Sequence, residues 1–66
     1  MDLTVNGEAK RVDEGLNIAG LLGELGLDGR KVAVERNLEI VPKSAYAETQ
    51  LQSGDRIEIV AFVGGG

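Results

Sequence analysis

The segment from Ile57 to Val63 is the feature that most constrains the fold of this chain. Successive side chains of a strand point to opposite faces of its sheet, so alternate residues share a face. Both faces are apolar here, with Ile57, Ile59, Ala61 and Val63 on one and Val60 and Phe62 on the other. A strand of this kind is typical of the centre of a sheet. We therefore expect residues 56–63 to form a central strand.

A β-hairpin is predicted at the start of the chain. Leu3 and Val5 alternate with polar residues, as in a half-buried strand. Asn6-Gly7 follows, and this pair is a strong signal for a two-residue turn because both residues tolerate positive φ. The return strand then covers residues 8–12 and places Arg11 opposite Asp2.

One short helix is predicted next. Asn17 is a typical N-cap, and Gly26 is a typical left-handed stop. Between them, apolar residues recur with the spacing of one helical face: Ile18, Leu21, Leu22 and Leu25. Gly20 and Gly23 interrupt this helix, and each costs about 1 kcal/mol relative to alanine. The residue pattern explains neither of them.

Two more strands and an irregular connection complete the pattern. Residues 31–36 form a third strand, and residues 39–41 form a short one that Pro42 confines to a sheet edge. Residues 44–52 form the connection, in which Tyr46 is expected to pack and Leu51 to fill the core. Since one helix covers only one side of a sheet, Val60 and Phe62 are either exposed or covered by this connection, and both alternatives stay open.

Composition excludes several classes of function. The 66 residues fit a single domain. There is no cysteine and no histidine, which rules out disulfides, thiolate chemistry and the commonest metal ligand, so we expect no metal site. The net charge of −4 argues against nucleic acid and suits a basic partner surface. No segment approaches the length of a membrane span, and we expect a cytoplasmic protein.

The sequence finishes in Gly64, Gly65 and Gly66. Without side chains, such a segment can enter a narrow slot and present its own α-carboxylate. The ordinary interpretation of three terminal glycines is a frayed end. We expect a folded domain over residues 1–63 and a flexible glycine tail over residues 64–66.

These elements, in this order, resemble the ubiquitin-like β-grasp fold, and specifically the sulfur carrier proteins of thiamin (thiazole) biosynthesis. The stretches that carry the resemblance are VNG at residues 5–7, LLGELGL at 21–27, VAVERN at 32–37, IVP at 40–42 and SGDRIEIVAFVGGG at 53–66. The resemblance implies an α+β domain with a mixed sheet of four to five strands packed on one main helix. Leu38 departs from the family, which often has glycine after the asparagine.

The resemblance also implies a function. A partner related to ubiquitin activators would adenylate the Gly66 carboxylate with ATP and Mg²⁺, and a sulfur donor, either a cysteine desulfurase or a persulfide protein, would convert it to a thiocarboxylate. Thiazole synthase would accept the sulfur. The chain itself would bind no cofactor and would be a protein co-substrate rather than an enzyme. Val60 and Phe62 are the expected partner-binding residues, next to the tail of Gly64 and Gly65.

Three alternative functions are compatible with the same residues. The small subunit of molybdopterin synthase shares the fold and the diglycine ending, but it tends to be longer. A ubiquitin-like modifier would join the activated carboxyl to lysines of other proteins. In a plain binding module the glycines would be inert, and the Val60 and Phe62 face would bind the partner.

Overall fold

The computed structural model describes residues 1–61, which form a mixed five-stranded sheet packed against one α-helix. The strands are β1 (Asp2–Val5), β2 (Glu8–Arg11), β3 (Val32–Arg36), β4 (Glu39–Val41) and β5 (Arg56–Ala61), and the helix is α1 (Ile18–Glu24). Their order in the sheet is β2-β1-β5-β3-β4. The last strand therefore lies at the centre, as its two apolar faces predict, and β4 lies at an edge, as Pro42 predicts.

The pairing of β5 makes the sheet mixed. β5 runs parallel to β1 and antiparallel to β3, and the two outer pairs, β1 with β2 and β3 with β4, are antiparallel hairpins. Parallel neighbours need a long connection, and here it runs through the helix and the second hairpin. This topology confirms the predicted α+β β-grasp fold with five strands.

The first hairpin has the predicted turn and register. Asn6 and Gly7 take φ values of 51° and 82°, as a type I′ turn requires. Asp2 lies opposite Arg11, and the Asp2 Oδ1 to Arg11 Nε distance is 3.1 Å. Both side chains are largely exposed, so this ion pair contributes little to stability.

Helix α1 begins and ends as its residues predict. The Asn17 side chain accepts a hydrogen bond from the Gly20 N–H at 2.7 Å, which is an N-cap. At the other end Gly26 has φ 71°, and the Leu27 N–H donates to the Leu22 carbonyl at 2.9 Å. This arrangement is a Schellman ending, and it returns Leu27 toward the helix.

The two helical glycines differ in their surroundings. A Cβ on Gly20 would lie 2.6 Å from Leu16 Cδ1 and 3.2 Å from Asn17 Oδ1, so this glycine leaves room for the residues that enter the helix. A Cβ on Gly23 would meet no atom within 4 Å. The structure therefore accounts for Gly20 and gives no steric reason for Gly23.

The core lies between α1 and one face of the sheet. Ile18 and Leu21 of the helix and Ile57 of β5 are fully buried there. The other buried apolar residues are Leu3, Val12, Leu22, Val32, Val34, Tyr46 and Leu51. Leu51 fills the core beneath the connection, as predicted, and Tyr46 is a core aromatic whose hydroxyl donates to the Val32 carbonyl at 3.2 Å.

The β3–β4 turn contains Leu38, the residue at which the sequence departs from the family. Asn37 has φ 52°, and Leu38 has φ 71° with a side chain that is 71% exposed. Leucine is unfavourable at positive φ because its Cβ approaches the neighbouring carbonyl oxygen. The turn keeps the shape that glycine would take, and Leu38 is strained in it. The expected division between a domain over 1–63 and a tail over 64–66 lies partly outside the described residues and stays a prediction.

Candidate functional site

The C-terminal end of β5 is the region toward which the sequence analysis points. Ile57 is fully buried in the middle of the sheet, and the strand then runs outward to Ala61, which pairs with Val32 of β3. The predicted site residues that follow, Phe62, Gly64, Gly65 and Gly66, lie outside the described residues. Of the predicted site, the structure therefore describes Val60 and the strand that leads to the tail.

Val60 lies on the face of the sheet opposite the helix. Its side chain is 62% exposed, and in the pairing with β3 it lies opposite Ala33. The connection over residues 44–52 does not cover it. For Val60, the structure thus decides between the two alternatives left open by the sequence, and Val60 is an exposed apolar residue one position before the end of β5. The prediction for Phe62 lies outside the described residues.

A second exposed apolar residue extends this surface. Ile40 of β4 is 78% exposed and pairs with Glu35 of β3, on the same face of the sheet as Ala33 and Val60. We call this surface, formed by Val60, Ile40 and Ala33, the outer apolar patch. Exposed apolar patches of this kind are typical of protein-binding surfaces. The sequence analysis did not predict Ile40 as a site residue. Its place on a short edge strand was a signal that this apolar side chain is exposed.

Two glutamates lie beside the outer apolar patch. Glu35 of β3 is directly opposite Glu58 of β5, and one oxygen of Glu58 lies 3.2 Å from Arg56 Nη2. Glu39 pairs with Arg36, and this pair lies on the opposite face of the sheet. Like charges opposite each other destabilise a sheet, and a basic partner surface would relieve their repulsion. The register of β3 against β5 brings Glu35 and Glu58 together.

A groove lies on the helix side of the same strand end. It has a volume of about 530 Å³ and runs between the first hairpin, the C-terminal end of α1 and β5. Its walls are mainly apolar, with Leu25, Leu27, Ile59 and Ala61 among the lining residues and Asn6 beside them. The end of β5 thus has apolar surface on both faces.

Asp55 is a structural residue at the opposite end of β5. Its carboxylate accepts hydrogen bonds from Arg36 Nε at 2.8 Å, Asn37 Nδ2 at 3.0 Å and the Gln52 N–H at 2.8 Å, and the residue is only 5% exposed. Burial alone would raise its pKa, but these hydrogen bonds and the Arg36 charge outweigh burial and hold the pKa below its usual range. The sequence analysis did not predict this network.

Lys43 is an exposed residue whose side chain is hydrogen-bonded to the main chain. Its ammonium donates to the Val32 carbonyl at 2.6 Å and to the Gly29 carbonyl at 3.2 Å. The same group lies 5.9 Å from the centre of the Tyr46 ring. Lys43 therefore ties the short 3₁₀ turn at Lys43–Ala45 to the start of β3.

Within residues 1–61, no three acidic, cysteine or histidine side chains are placed to hold a metal ion. No helix in that part of the chain is long and apolar enough to cross a membrane. The described end of β5 has apolar surface on both faces of the sheet.

Comparisons with known proteins agree on one family. The family model described as ThiS family matches residues 3–66. The sulfur carrier protein ThiS of Bacillus subtilis is 51% identical over 49 residues, which are 74% of each chain. The crystal structure of a thiamine biosynthesis protein (ThiS) from Geobacter metallireducens superimposes with a TM-score of 0.85 at 40% identity and covers all of both chains.

Longer relatives also contain a region like this chain. A thiazole synthase of Paramagnetospirillum magneticum is 59% identical over all 66 residues, and one of Magnetococcus marinus is 44% identical over the same length. This chain spans only 20% of the length of each. With a family match from the first strand through Gly66 and the same fold in a solved relative, the chain belongs to the ThiS family.

Proposed function

We propose that this chain is a sulfur carrier for thiazole formation in thiamin biosynthesis, with the Gly66 carboxylate as the group that carries sulfur. The observation on which this proposal depends is the family match, which extends through the glycine tail. The solved ThiS relative supports it, because the two folds agree over the whole chain. The chain acts in this proposal as a co-substrate of other enzymes.

The proposed chemistry needs an activated carboxyl group. A carboxylate is a poor electrophile, whereas an acyl adenylate is a good one because its leaving group is a stabilised phosphate. An activating partner would form the adenylate from Gly66 and ATP with Mg²⁺. The persulfide of a sulfur donor would then attack the acyl carbon and displace AMP, and reduction of the new S–S bond by a thiol would leave the thiocarboxylate.

Thiazole synthase is the proposed acceptor. Two proteins of that name contain a region similar to all of this chain, which indicates that carrier and synthase work together. The family match favours this destination over molybdopterin synthase. Reconstitution with each acceptor system tests the choice, since only the correct acceptor will consume the thiocarboxylate.

The outer apolar patch is the proposed docking surface for the activating enzyme. Five residues follow Ala61, and a fully extended segment of that length spans at most about 18 Å. The enzyme must therefore bind close to the end of β5, where Val60 is exposed. Glu35 and Glu58 beside it would attract a basic surface and increase the rate of encounter.

Pyrophosphate exchange tests the activation step. Incubated with a ThiS-activating enzyme and ATP, the chain should support exchange of labelled pyrophosphate into ATP. Conversion of the terminal carboxylate to an amide should abolish the exchange because no acyl adenylate can form. Deletion of Gly65 and Gly66 should abolish it because the new terminal carboxylate, on Gly64, is two residues short of the reach of the full chain. Exchange that persists with a blocked terminus would contradict the proposal.

Substitution of Val60 tests the docking surface in the same assay. Val60→Ala should raise the KM for the carrier about threefold to tenfold, because apolar area that is buried on binding is lost. Leu38→Ala is the matched control, since it removes a similarly exposed apolar side chain from the β3–β4 turn. Equal KM values for the two variants would show that the outer apolar patch does not contact the enzyme.

A further inference from the structure

Asn6 lies where β1 leaves the central strand. Main-chain pairing between β1 and β5 includes Val5 with Ile57, and the Asn6 N–H then donates to the Ile57 carbonyl at 2.8 Å. At Asn6 the backbone takes φ 51° and turns toward β2. Within residues 1–61, the main-chain ladder on this side of β5 goes no further.

The Asn6 side chain continues the ladder by one step. Its Oδ1 accepts a hydrogen bond from the Ile59 N–H at 2.7 Å, and its Nδ2 donates to the Ile59 carbonyl at 3.2 Å. A side-chain amide has the same donor and acceptor as a peptide group. It therefore takes the place of the next peptide of β1 and holds both main-chain groups of Ile59.

This contact is close to the C-terminal end of β5. Ile59 is two residues before Ala61, and on the other side of β5 the pairing with β3 reaches Ala61. Asn6 therefore forms hydrogen bonds with β5 on the β1 side, at a point where β3 pairs with β5 on the other side. Without the Asn6 amide, the last residues of β5 would be hydrogen-bonded along one edge only, to β3.

We propose that Asn6 is a positioning residue, which fixes the end of β5, the strand that precedes the tail. This inference rests on the proposed function. A carrier whose strand end is already ordered loses less conformational entropy on docking. A carrier with a frayed end binds only through its ordered fraction, which lowers its apparent affinity by that fraction. Because Asn6 does not touch the reacting carboxylate, its loss should raise KM and leave kcat unchanged.

Asn37 provides a matched control at the other end of β5. It also has positive φ, at 52°, and it also lies in a two-residue turn. Its Oδ1 accepts from the Arg56 N–H at 2.9 Å, and its Nδ2 donates to Asp55 Oδ1 at 3.0 Å. Glycine at either position keeps the left-handed turn and removes the side-chain hydrogen bonds. Asn37→Gly thus loosens the start of β5, and Asn6→Gly loosens its end.

The test compares the kinetics of carrier activation for the two variants. Asn6→Gly should raise KM about fivefold, as expected for two exposed hydrogen bonds, with kcat within about twofold of the wild-type value. Asn37→Gly should leave both constants within about twofold. Asn6→Asp keeps the acceptor for the Ile59 N–H and loses the donor, so its KM should be intermediate. Amide hydrogen exchange at Ile59 should accelerate in Asn6→Gly and not in Asn37→Gly.

Equal KM values for Asn6→Gly and Asn37→Gly would overturn the inference, as would unchanged exchange at Ile59 in Asn6→Gly. If Asn6→Gly does not fold, Asn6→Asp decides the question, because a KM equal to that of the wild type contradicts the role. Failure of the wild-type chain to be activated would instead overturn the proposed function, and the inference with it. Ile59 exchange does not depend on activation, so the two failures are distinguishable.

Discussion

Leu38 is unfavourable in the conformation that its own turn requires. The β3–β4 turn needs two residues at positive φ, and only Asn37 is suited to that conformation. Leu38 is strained there, and its exposed side chain gains little from burial. The sequence identified this conflict, because leucine stands where a turn of this kind favours glycine.

Replacing Leu38 with glycine should therefore stabilise the protein. Relief of the strain exceeds the added entropy of the unfolded chain, and the net gain should be about 0.5–1 kcal/mol. Urea denaturation measures it as a higher midpoint at unchanged slope. Leu38→Ala keeps a Cβ and with it most of the strain, so an equal gain from alanine would show that the strain is not the cause.

At the scale of the element, α1 illustrates a helix that depends on its ends and its packing. It has seven residues, too few to be stable alone, and it is held by the Asn17 cap, the Schellman ending and three buried side chains. Gly20 gives Leu16 and Asn17 room at the first turn, whereas Gly23 faces open space.

The two glycines should therefore respond differently to alanine. Gly23→Ala should stabilise the protein by about 0.5–1 kcal/mol, because alanine is the better helix former and its Cβ meets nothing. Gly20→Ala should gain less or lose stability, because its Cβ would displace Leu16 and crowd the capping oxygen of Asn17. Thermal unfolding of both variants measures the difference, and equal gains would contradict this account of Gly20.

At the scale of the whole molecule, Asp55 joins parts of the chain that are distant in sequence. Its carboxylate connects the β3–β4 turn, through Arg36 and Asn37, to the connection at Gln52 and to the start of β5. Since the pKa of Asp55 is lower in the folded protein than in the unfolded chain, the ionised form stabilises the fold above the unfolded-state pKa. That contribution is lost as the pH falls through the folded-state pKa.

Asp55→Asn should cost about 2 kcal/mol at pH 7, since the Arg36 contact and two further hydrogen bonds are weakened. For a domain of this size the melting temperature should fall by about 8–16 °C. Below pH 4, the free energy of unfolding should also fall less steeply with decreasing pH in the variant than in the wild type. Denaturation from pH 7 to pH 2.5 measures both effects. Asp2→Asn is the control, because its carboxylate is exposed, and a response equal to that of Asp55→Asn would contradict the network.

Much of the fold was predictable because local signals agreed with the global arrangement. The Asn6-Gly7 turn, the Asn17 cap, the Gly26 stop and the two apolar faces of the last strand each correspond to an observed feature. The contacts of Asp55, Lys43 and the Asn6 side chain were not predictable, because each joins elements that are distant in sequence. The same holds for the pairing of Glu35 with Glu58, which only the register of β3 against β5 reveals.

The mass of the intact chain is the most direct test of the central claim, that the Gly66 carboxyl carries sulfur. After incubation with an activating enzyme, ATP and a sulfur donor, the account predicts an increase of about 16 Da from exchange of oxygen for sulfur. The increase should be absent without ATP and in a chain that lacks Gly66. An unchanged mass with an enzyme shown to activate another ThiS carrier would contradict the account.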